Sequence, residues 1–321
     1  MRNFSAVCGA AIGAAWAWCA LAAAAAPAQP VQPINIDEQR RCVTIPGTVA
    51  KQNVYEQLKG AIEYALVCPG GKAYEALFIC PVDPVALRDA LVKIGLRPGK
   101  HAHEQDGVAV GPRGDAVKIL VIAGDGAPDS AREIENYIID TTRGGPMPPV
   151  KWVFTGSRTV KDPATGKDML EAAVIKNLVS IHQLDPGVLI QNPTPGASEG
   201  GRYKANLKEL PPEGTPVKIV IQALDLKRMH LRISGRVQGV GFREFTRTAA
   251  AALDLRGWVR NLPDGDVELL AEGDPASLAK LRERVSKGPR GARVDAVKDV
   301  VPVSAEPVGQ FEVRETPPPS K

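Results

Sequence analysis

Histidine and cysteine are scarce in this chain, and aromatic residues are few. The sequence has 4 His and 5 Cys, and Phe, Trp and Tyr together make up 5% of its residues. None of the cysteines forms a Cys-x-x-Cys pair. Structural zinc sites and thioredoxin-like redox sites are built from closely spaced Cys and His. The composition therefore argues against both, and we expect neither a metal nor another cofactor.

Charge of one sign is not in large excess either. The net charge is +4, and it comes from the segment after Leu226, which has 17 Lys and Arg against 13 Asp and Glu. This modest positive bias suits a small anionic substrate. It is too small, and too poor in interspersed aromatic residues, to indicate binding to nucleic acid. The sequence has no internal repeat and gives no indication of the oligomeric state.

The N-terminus has the pattern of a secretory signal. Met1-Arg2-Asn3 is short and positive, and residues 4–26 are apolar and rich in alanine. Ala26-Pro27-Ala28 places small residues where a signal peptidase reads them, so we expect a signal peptide over residues 1–28 with cleavage before Gln29. The alternative is an uncleaved anchor, which would be the protein's only membrane association. We expect export to a periplasm or cell surface.

Three cysteines lie beyond this segment, namely Cys42, Cys68 and Cys80. An oxidising compartment permits one disulfide and one odd thiol. Cys42 is then the more suitable partner for either of the other two. The alternative, three buried structural thiols, is equally consistent with the sequence.

Length predicts two folded units, at residues 34–224 and 227–316, with a disordered tail at 317–321. The first unit has the pattern of a mixed α+β domain. Residues 62–68 and 73–80 flank a Pro-Gly-Gly-Lys turn and predict a β-hairpin. Asp83 and Pro84 predict a helix that ends before Gly95.

Four further segments of the first unit predict strands because they are short and rich in apolar residues. They are residues 117–123, 150–154, 171–175 and 217–221.

The second unit opens with a pattern typical of phosphate binding. His230 to Ser234 alternate as a half-buried strand, and a helical run follows at residues 244–255. Between them, Gly239 and Gly241 allow backbone N–H groups to converge at the helix N-terminus, where negative charge is favoured. Arg243 adds a planar cation that matches phosphate oxygens. Further along, Asn261 can orient a water molecule through one donor and one acceptor.

These residues resemble the acylphosphatase family. Residues 237–243 read Val-Gln-Gly-Val-Gly-Phe-Arg, and residues 257–273 match the family pattern G-W-V-x-N-x-x-x-G-x-V-E-x-x-x-x-G. Residues 288–294 are similar to its G-P-P-G-A-x-V turn, with Arg290 in place of the second proline. Residues 311–314 resemble its closing strand. The resemblance spans about residues 228–315.

The resemblance implies an α/β fold of the ferredoxin-like βαββαβ sandwich type and hydrolysis of an acyl phosphate without metal or cofactor. By position, Arg243 would bind the phosphate oxygens and Asn261 would position the attacking water. The remaining phosphate ligands would be backbone N–H groups of the loop, at Gln238, Gly239, Val240, Gly241 and Phe242. An acyl phosphate has a good leaving group, so positioning and charge stabilisation suffice and no strong general base is needed.

The first unit resembles the YdjY-type family of uncharacterised exported proteins. The matching segments are residues 63–77, 147–157 and 212–217. A histidine often stands in that family where this chain has Tyr74. The resemblance implies a domain and an exported location, but no reaction.

Together these features predict an exported two-domain protein that hydrolyses a small acyl phosphate. One alternative is a non-catalytic phosphate-binding or scaffold protein of the cell envelope, because a fold can persist after its activity is lost. Another is an extracellular phosphatase with a wider substrate range. Phosphate affinity without turnover would favour the first alternative, and turnover of phosphate monoesters the second.

Overall fold

The structure is a computed structural model that describes residues 30–52, 54, 60–105, 108–162, 165–183, 185–197, 200–301, 303–304 and 306–318. The expected signal peptide and the last three residues of the expected tail lie outside the described residues. Within the described part of the chain, no helix is both long and apolar enough to cross a bilayer. The same residues hold no cluster of three or more His, Cys, Asp or Glu arranged to bind a metal ion.

The N-terminal unit is dominated by short strands. Its strands are β1 (Asn35–Asp37), β2 (Cys42–Val49), β3 (Tyr64–Val67), β4 (Ala76–Ile79), β5 (His103–Gln105), β6 (Val108–Val110), β7 (Asp115–Ala123), β8 (Arg132–Glu133), β9 (Ile138–Asp140), β10 (Gly145–Pro146), β11 (Trp152–Phe154), β12 (Thr159–Lys161), β13 (Asp168–Leu170), β14 (Asn177–Ser180), β15 (Ile190–Gln191), β16 (Tyr203–Ala205) and β17 (Pro216–Ala223). Its helices are α1 (Pro84–Lys93) and α2 (Glu171–Ile175), with 3-10 turns at Ala73–Glu75, Pro128–Ser130 and Ile134–Tyr137.

Eight of these strands close into a barrel. The order is β2-β17-β7-β11-β15-β14-β3-β4, and β4 returns to β2 through Thr48 opposite Ile79 and Val49 opposite Phe78. Alternate residues of β2, β7 and β17 point inward and are fully buried, as Ile45, Ile119 and Ile219 illustrate. The predicted mixed α+β domain is therefore a strand-rich barrel with two short helices.

The predicted hairpin at residues 62–80 is wrong, because β3 and β4 run parallel. Leu66 lies beside Phe78 and Val67 beside Ile79. The loop is tied down elsewhere, since the Lys72 amide donates to Asn177 Oδ1 at 3.1 Å on β14. The 3-10 turn at Ala73–Glu75 follows, and its Glu75 carbonyl accepts from the Glu63 amide at 2.9 Å, just before β3. Strand β4 therefore begins beside the start of β3.

Helix α1 agrees with prediction, whereas the predicted strand at residues 171–175 is wrong. Asp83 caps α1 by accepting from the Ala86 amide at 3.0 Å, and Gly95 follows the helix at a φ of +86°. Residues 171–175 form α2, whose Ala172 amide donates to Ser157 Oγ at 3.0 Å. Lys176 then ends the helix in the left-handed region. This capping from a distant loop overrides the β propensity of Val and Ile.

All three described cysteines are free thiols. Cys68 and Cys80 are buried, as the alternative of three buried structural thiols predicted, whereas Cys42 is only partly buried. Burial raises the pKa of the Cys68 thiol to about 11 and raises the pKa of Cys80 further. Burial and nearby Asp37 also raise the pKa of Cys42.

The C-terminal unit forms one sheet covered by two helices. Its elements are β18 (Lys227–Arg236), α3 (Phe242–Ala251), β19 (Arg256–Asn261), β20 (Val267–Gly273), α4 (Pro275–Lys287), β21 (Arg293–Asp299) and β22 (Glu312–Arg314). The sheet order is β21-β18-β20-β19-β22, and only β19 and β22 pair in parallel. The first six elements give the ferredoxin-like βαββαβ sandwich that was predicted, and β22 extends its edge.

A separate core holds this sandwich together. Leu231, Ile233, Leu269 and Leu281 are fully buried between the sheet and the helices. At the edge of the core, Glu268 lies 2.9 Å from His230 Nε2 and accepts from Arg260 Nε at 2.7 Å. These bonds lower the pKa of Glu268.

The two units are in direct contact. The side chain of Arg256 is buried, pairs with Glu272 at 3.0 Å and donates to the carbonyls of Gly114 and Val308. Arg113 pairs with Glu312 at 2.9 Å, and Lys151 pairs with Asp254. The barrel therefore contacts β22 and the residues around the C-terminal end of α3.

Candidate active site

The loop between β18 and α3 is shaped by glycine. Gly239 and Gly241 have φ values of +73° and +74°, in the left-handed region that favours glycine. A Cβ at either position would meet no heavy atom within 4 Å, so open space lies in front of the loop backbone. The two glycines thus turn the chain into α3 and leave room for a ligand to approach the main chain.

The N-terminus of α3 is uncapped. Gly241 is the N-cap residue, and no side chain caps the helix there. The first N–H groups of a helix have no partner within the helix. In α3 they belong to Phe242 and the residues after it. These donors, with the helix dipole, favour an anion at this point.

Arg243 lies at the mouth of this loop. Its side chain is partly buried and makes no hydrogen bond or ion pair with any other described residue. A guanidinium has five N–H donors in a fixed plane, and here all remain free for a ligand. Neighbouring Glu244 is paired with Arg247, which lowers the pKa of Glu244 and leaves Arg243 unneutralised.

Asn261 is the last residue of β19 and lines the same cleft as Arg243. The cleft has a volume of about 510 Å³ and its walls also include Gln238, Gly239 and Gly241. The Asn261 side chain is partly buried and has no hydrogen-bond partner among the described residues. The structure therefore brings the two predicted catalytic side chains to one cleft, each with its polar atoms unused.

The turn after Asn261 is held by several hydrogen bonds. Leu262 donates its amide to the Asp266 carbonyl at 2.8 Å, and Gly265 turns the chain at a φ of +96°. The Asp266 carboxylate accepts from Arg232 Nε at 2.6 Å and from Ser234 Oγ at 3.0 Å. The turn is thus fastened to β18, the strand that leads into the glycine loop.

Gln238 joins this turn to the glycine loop. Its side-chain Nε2 donates to the carbonyls of Leu262 and Asp266, both at 2.8 Å. Sequence reasoning assigned Gln238 only a backbone N–H and missed this brace. The signal was its position, since an amide within an otherwise apolar and glycine-rich loop requires polar partners.

Five predicted phosphate ligands lie on this loop, and four of them line the cleft, namely Gln238, Gly239, Gly241 and Phe242. Val240, the fifth, is partly buried and packs against the core of the sandwich. Val313 of β22 and Glu244 also line the cleft and were not predicted. Val313 belongs to the closing strand that was predicted at residues 311–314, and this was the feature of the sequence that could have indicated its place beside the loop.

Two family models match this chain. An acylphosphatase model matches residues 229–313, and a YdjY domain model matches residues 34–222.

Several known proteins are similar to the C-terminal unit of this chain. An acylphosphatase from Salinibacter ruber is 59% identical over 71 residues, which are 22% of this chain and 75% of the relative. One from Marinobacter nauticus is 51% identical over 74 residues, 23% of this chain and 80% of the relative. The solved structure of an acylphosphatase from Coxiella burnetii is 43% identical, covers 28% of this chain and 93% of that chain, and has a TM-score of 0.25. The chain therefore belongs to the YdjY family through residues 34–222 and to the acylphosphatase family through residues 229–313.

Proposed function

We propose that the protein is an exported two-domain acylphosphatase whose unit at residues 227–316 hydrolyses an acyl phosphate to carboxylate and phosphate. The observation that supports this most strongly is the convergence of Arg243 and Asn261 on one cleft, where neither side chain has a partner among the described residues. A guanidinium and an amide left unpaired at a helix N-terminus are suited to an anion and a water molecule.

In the proposed reaction, the phosphate group lies against the loop from Gln238 to Phe242. Backbone N–H groups and the N-terminus of α3 bind its oxygens, and Arg243 neutralises their charge. These contacts hold the three phosphoryl oxygens while the bond from phosphorus to the acyl oxygen lengthens and negative charge moves onto the leaving carboxylate.

Asn261 orients the attacking water in line with the leaving group. The water oxygen bonds to phosphorus, the phosphorus bond to the acyl oxygen breaks, and the carboxylate departs with the bonding electrons. The proton lost by the water passes to the phosphate produced or to solvent. A carboxylate is a stable anion and needs no proton to leave, so the reaction requires no general acid.

Purified protein assayed with benzoyl phosphate in the presence of a chelator tests this proposal. Turnover should be lost in Arg243→Ala and in Asn261→Ala, while both variants keep the wild-type circular dichroism spectrum. An active Arg243→Ala variant would refute the assignment. A folded wild type that binds phosphate without turnover would instead support the non-catalytic binding protein.

Export is the second part of the proposal and rests on the residue pattern at 1–28. Fractionation of the native host should find the protein outside the cytoplasm with Gln29 as its first residue. A cytoplasmic protein that retains Met1 would refute this part and leave the proposed reaction untouched.

A further inference from the structure

A second cavity lies between the two units, close to the candidate active site. It has a volume of about 360 Å³. The barrel contributes Val150, Lys151 and a group of three prolines, Pro149, Pro193 and Pro195. The sandwich contributes residues from α3, from the segment after it and from the segment leading into β22. We call this cavity the interdomain cleft.

Helix α3 connects the two cavities along one face. We call the cleft lined by Arg243 and Asn261 the phosphate cleft. Arg243 lines this phosphate cleft, whereas Arg247 and Ala251 line the interdomain cleft. These three residues are spaced four apart, so they lie on one side of the helix. At 1.5 Å per residue, Ala251 lies about 12 Å along the helix from Arg243.

The chain around the start of β22 likewise contributes one residue to each cavity. Val313 lines the phosphate cleft and Phe311 lines the interdomain cleft. Residues two apart on an extended chain point to the same side. Two segments, α3 and residues 311–313, therefore each contribute lining residues to both cavities.

The charged residues of the interdomain cleft are already paired. Lys151 pairs with Asp254, Arg247 with Glu244 and Arg256 with Glu272. These cations therefore do not require an anionic ligand. The remaining wall is mostly apolar, with the three prolines, Val150, Leu255 and Phe311, and it also carries the polar side chains of Thr194 and Gln310.

We propose that the two cavities form one continuous groove, in which the phosphate cleft holds the phosphate and the interdomain cleft is an acyl-group subsite for an elongated apolar or aromatic acyl group. This inference rests on the proposed function. It gives the barrel a part in catalysis, because the barrel supplies one wall of the subsite and thereby selects the acyl group. A two-carbon acetyl group would end within the phosphate cleft and make no contact with that wall.

The test compares acetyl phosphate with 4-phenylbutanoyl phosphate in three proteins. Ala251→Trp fills the interdomain cleft from an exposed position of α3, and Ala252→Trp is a matched control because Ala252 is also exposed and does not line the cleft. In the wild type, kcat/KM should be about tenfold or more higher for the longer substrate, since each buried methylene adds roughly fourfold. Ala251→Trp should abolish that preference by lowering kcat/KM for the longer substrate, while Ala252→Trp should keep the wild-type preference.

Equal activity of Ala251→Trp and the wild type on the longer substrate would overturn the subsite, as would an equal loss on both substrates. A non-hydrolysable 4-phenylbutanoyl phosphonate separates this inference from the proposed reaction. Its affinity, measured by calorimetry, should fall about tenfold in Ala251→Trp. If the wild type hydrolyses neither substrate but this affinity difference holds, the reaction is refuted and the subsite stands. If the affinity is equal in both proteins, the subsite is refuted.

Discussion

Replacing Gln238 by methionine should weaken both the stability of the sandwich and the organisation of the site. Methionine has a similar length and volume but cannot donate to the carbonyls of Leu262 and Asp266, which accept from Gln238 at 2.8 Å. A hydrogen bond of this kind contributes about 0.5 to 1.5 kcal/mol. The variant should therefore lose about 1 to 3 kcal/mol from the free energy of unfolding.

The effect on catalysis should be separable from this loss. Without the brace, Asn261 at the end of β19 is no longer fixed relative to Arg243 at the start of α3. Misplacement by about 1 Å can lower a rate about 100-fold. We expect kcat for benzoyl phosphate to fall by about tenfold to 100-fold, with a smaller change in KM because Arg243 and the glycine loop still bind phosphate.

Urea inactivation is the appropriate assay, because activity reports on the unit that contains the site. For a slope of about 1 kcal/mol per M, the midpoint should fall by about 1 M or more. Lys280→Met is the control, since Lys280 is exposed on α4 of the same unit, lines neither cleft and has no side-chain hydrogen bond among the described residues. An unchanged midpoint and an unchanged kcat in Gln238→Met would refute the bracing role.

Two further predictions concern thiols and pH. Cys42 should react with a thiol reagent in the native protein. Cys68 and Cys80 should react only after denaturation, because both are buried and have raised pKa values. Rapid labelling of all three thiols in the native protein would contradict the structure. The pKa of Glu268 is lowered in the folded protein, so its ionised carboxylate stabilises the fold above about pH 4.3, the pKa of a glutamate in the unfolded chain. This stabilisation is lost as the pH falls through the folded pKa. Glu268→Gln should thus lower stability at pH 7, with a difference from wild type that shrinks below about pH 4 in urea titrations; Glu315→Gln, at an exposed position, should show no such difference.

The sequence predicted the glycine turn between β18 and α3 because the signals for that turn are local. Glycines at 239 and 241 between a strand and a helix restrict the backbone to few conformations, and Arg243 follows at a fixed helical position. The same local reasoning was successful for α1, where Asp83 and Pro84 mark the helix start.

Local reasoning failed where distant residues decide the structure. Residues 68–75 contain a good turn sequence, but Asn177 holds that loop and the strands pair in parallel. Residues 171–175 have β-branched character, but Ser157 caps them as a helix. The interdomain cleft could not be predicted at all, since Lys151 and Asp254 are 103 positions apart in sequence.

In the proposed mechanism, water held by Asn261 attacks the phosphorus of a phosphate held by Arg243. Hydrolysis of benzoyl phosphate in ¹⁸O-labelled water tests it most directly, with Arg290→Ala as a control because Arg290 is an exposed arginine of the same unit. Wild type and Arg290→Ala should release phosphate that contains one ¹⁸O and benzoate that contains none, and Arg243→Ala should release neither above the uncatalysed rate. Enzymatic release of ¹⁸O-labelled benzoate, or full activity in Arg243→Ala, would contradict the account.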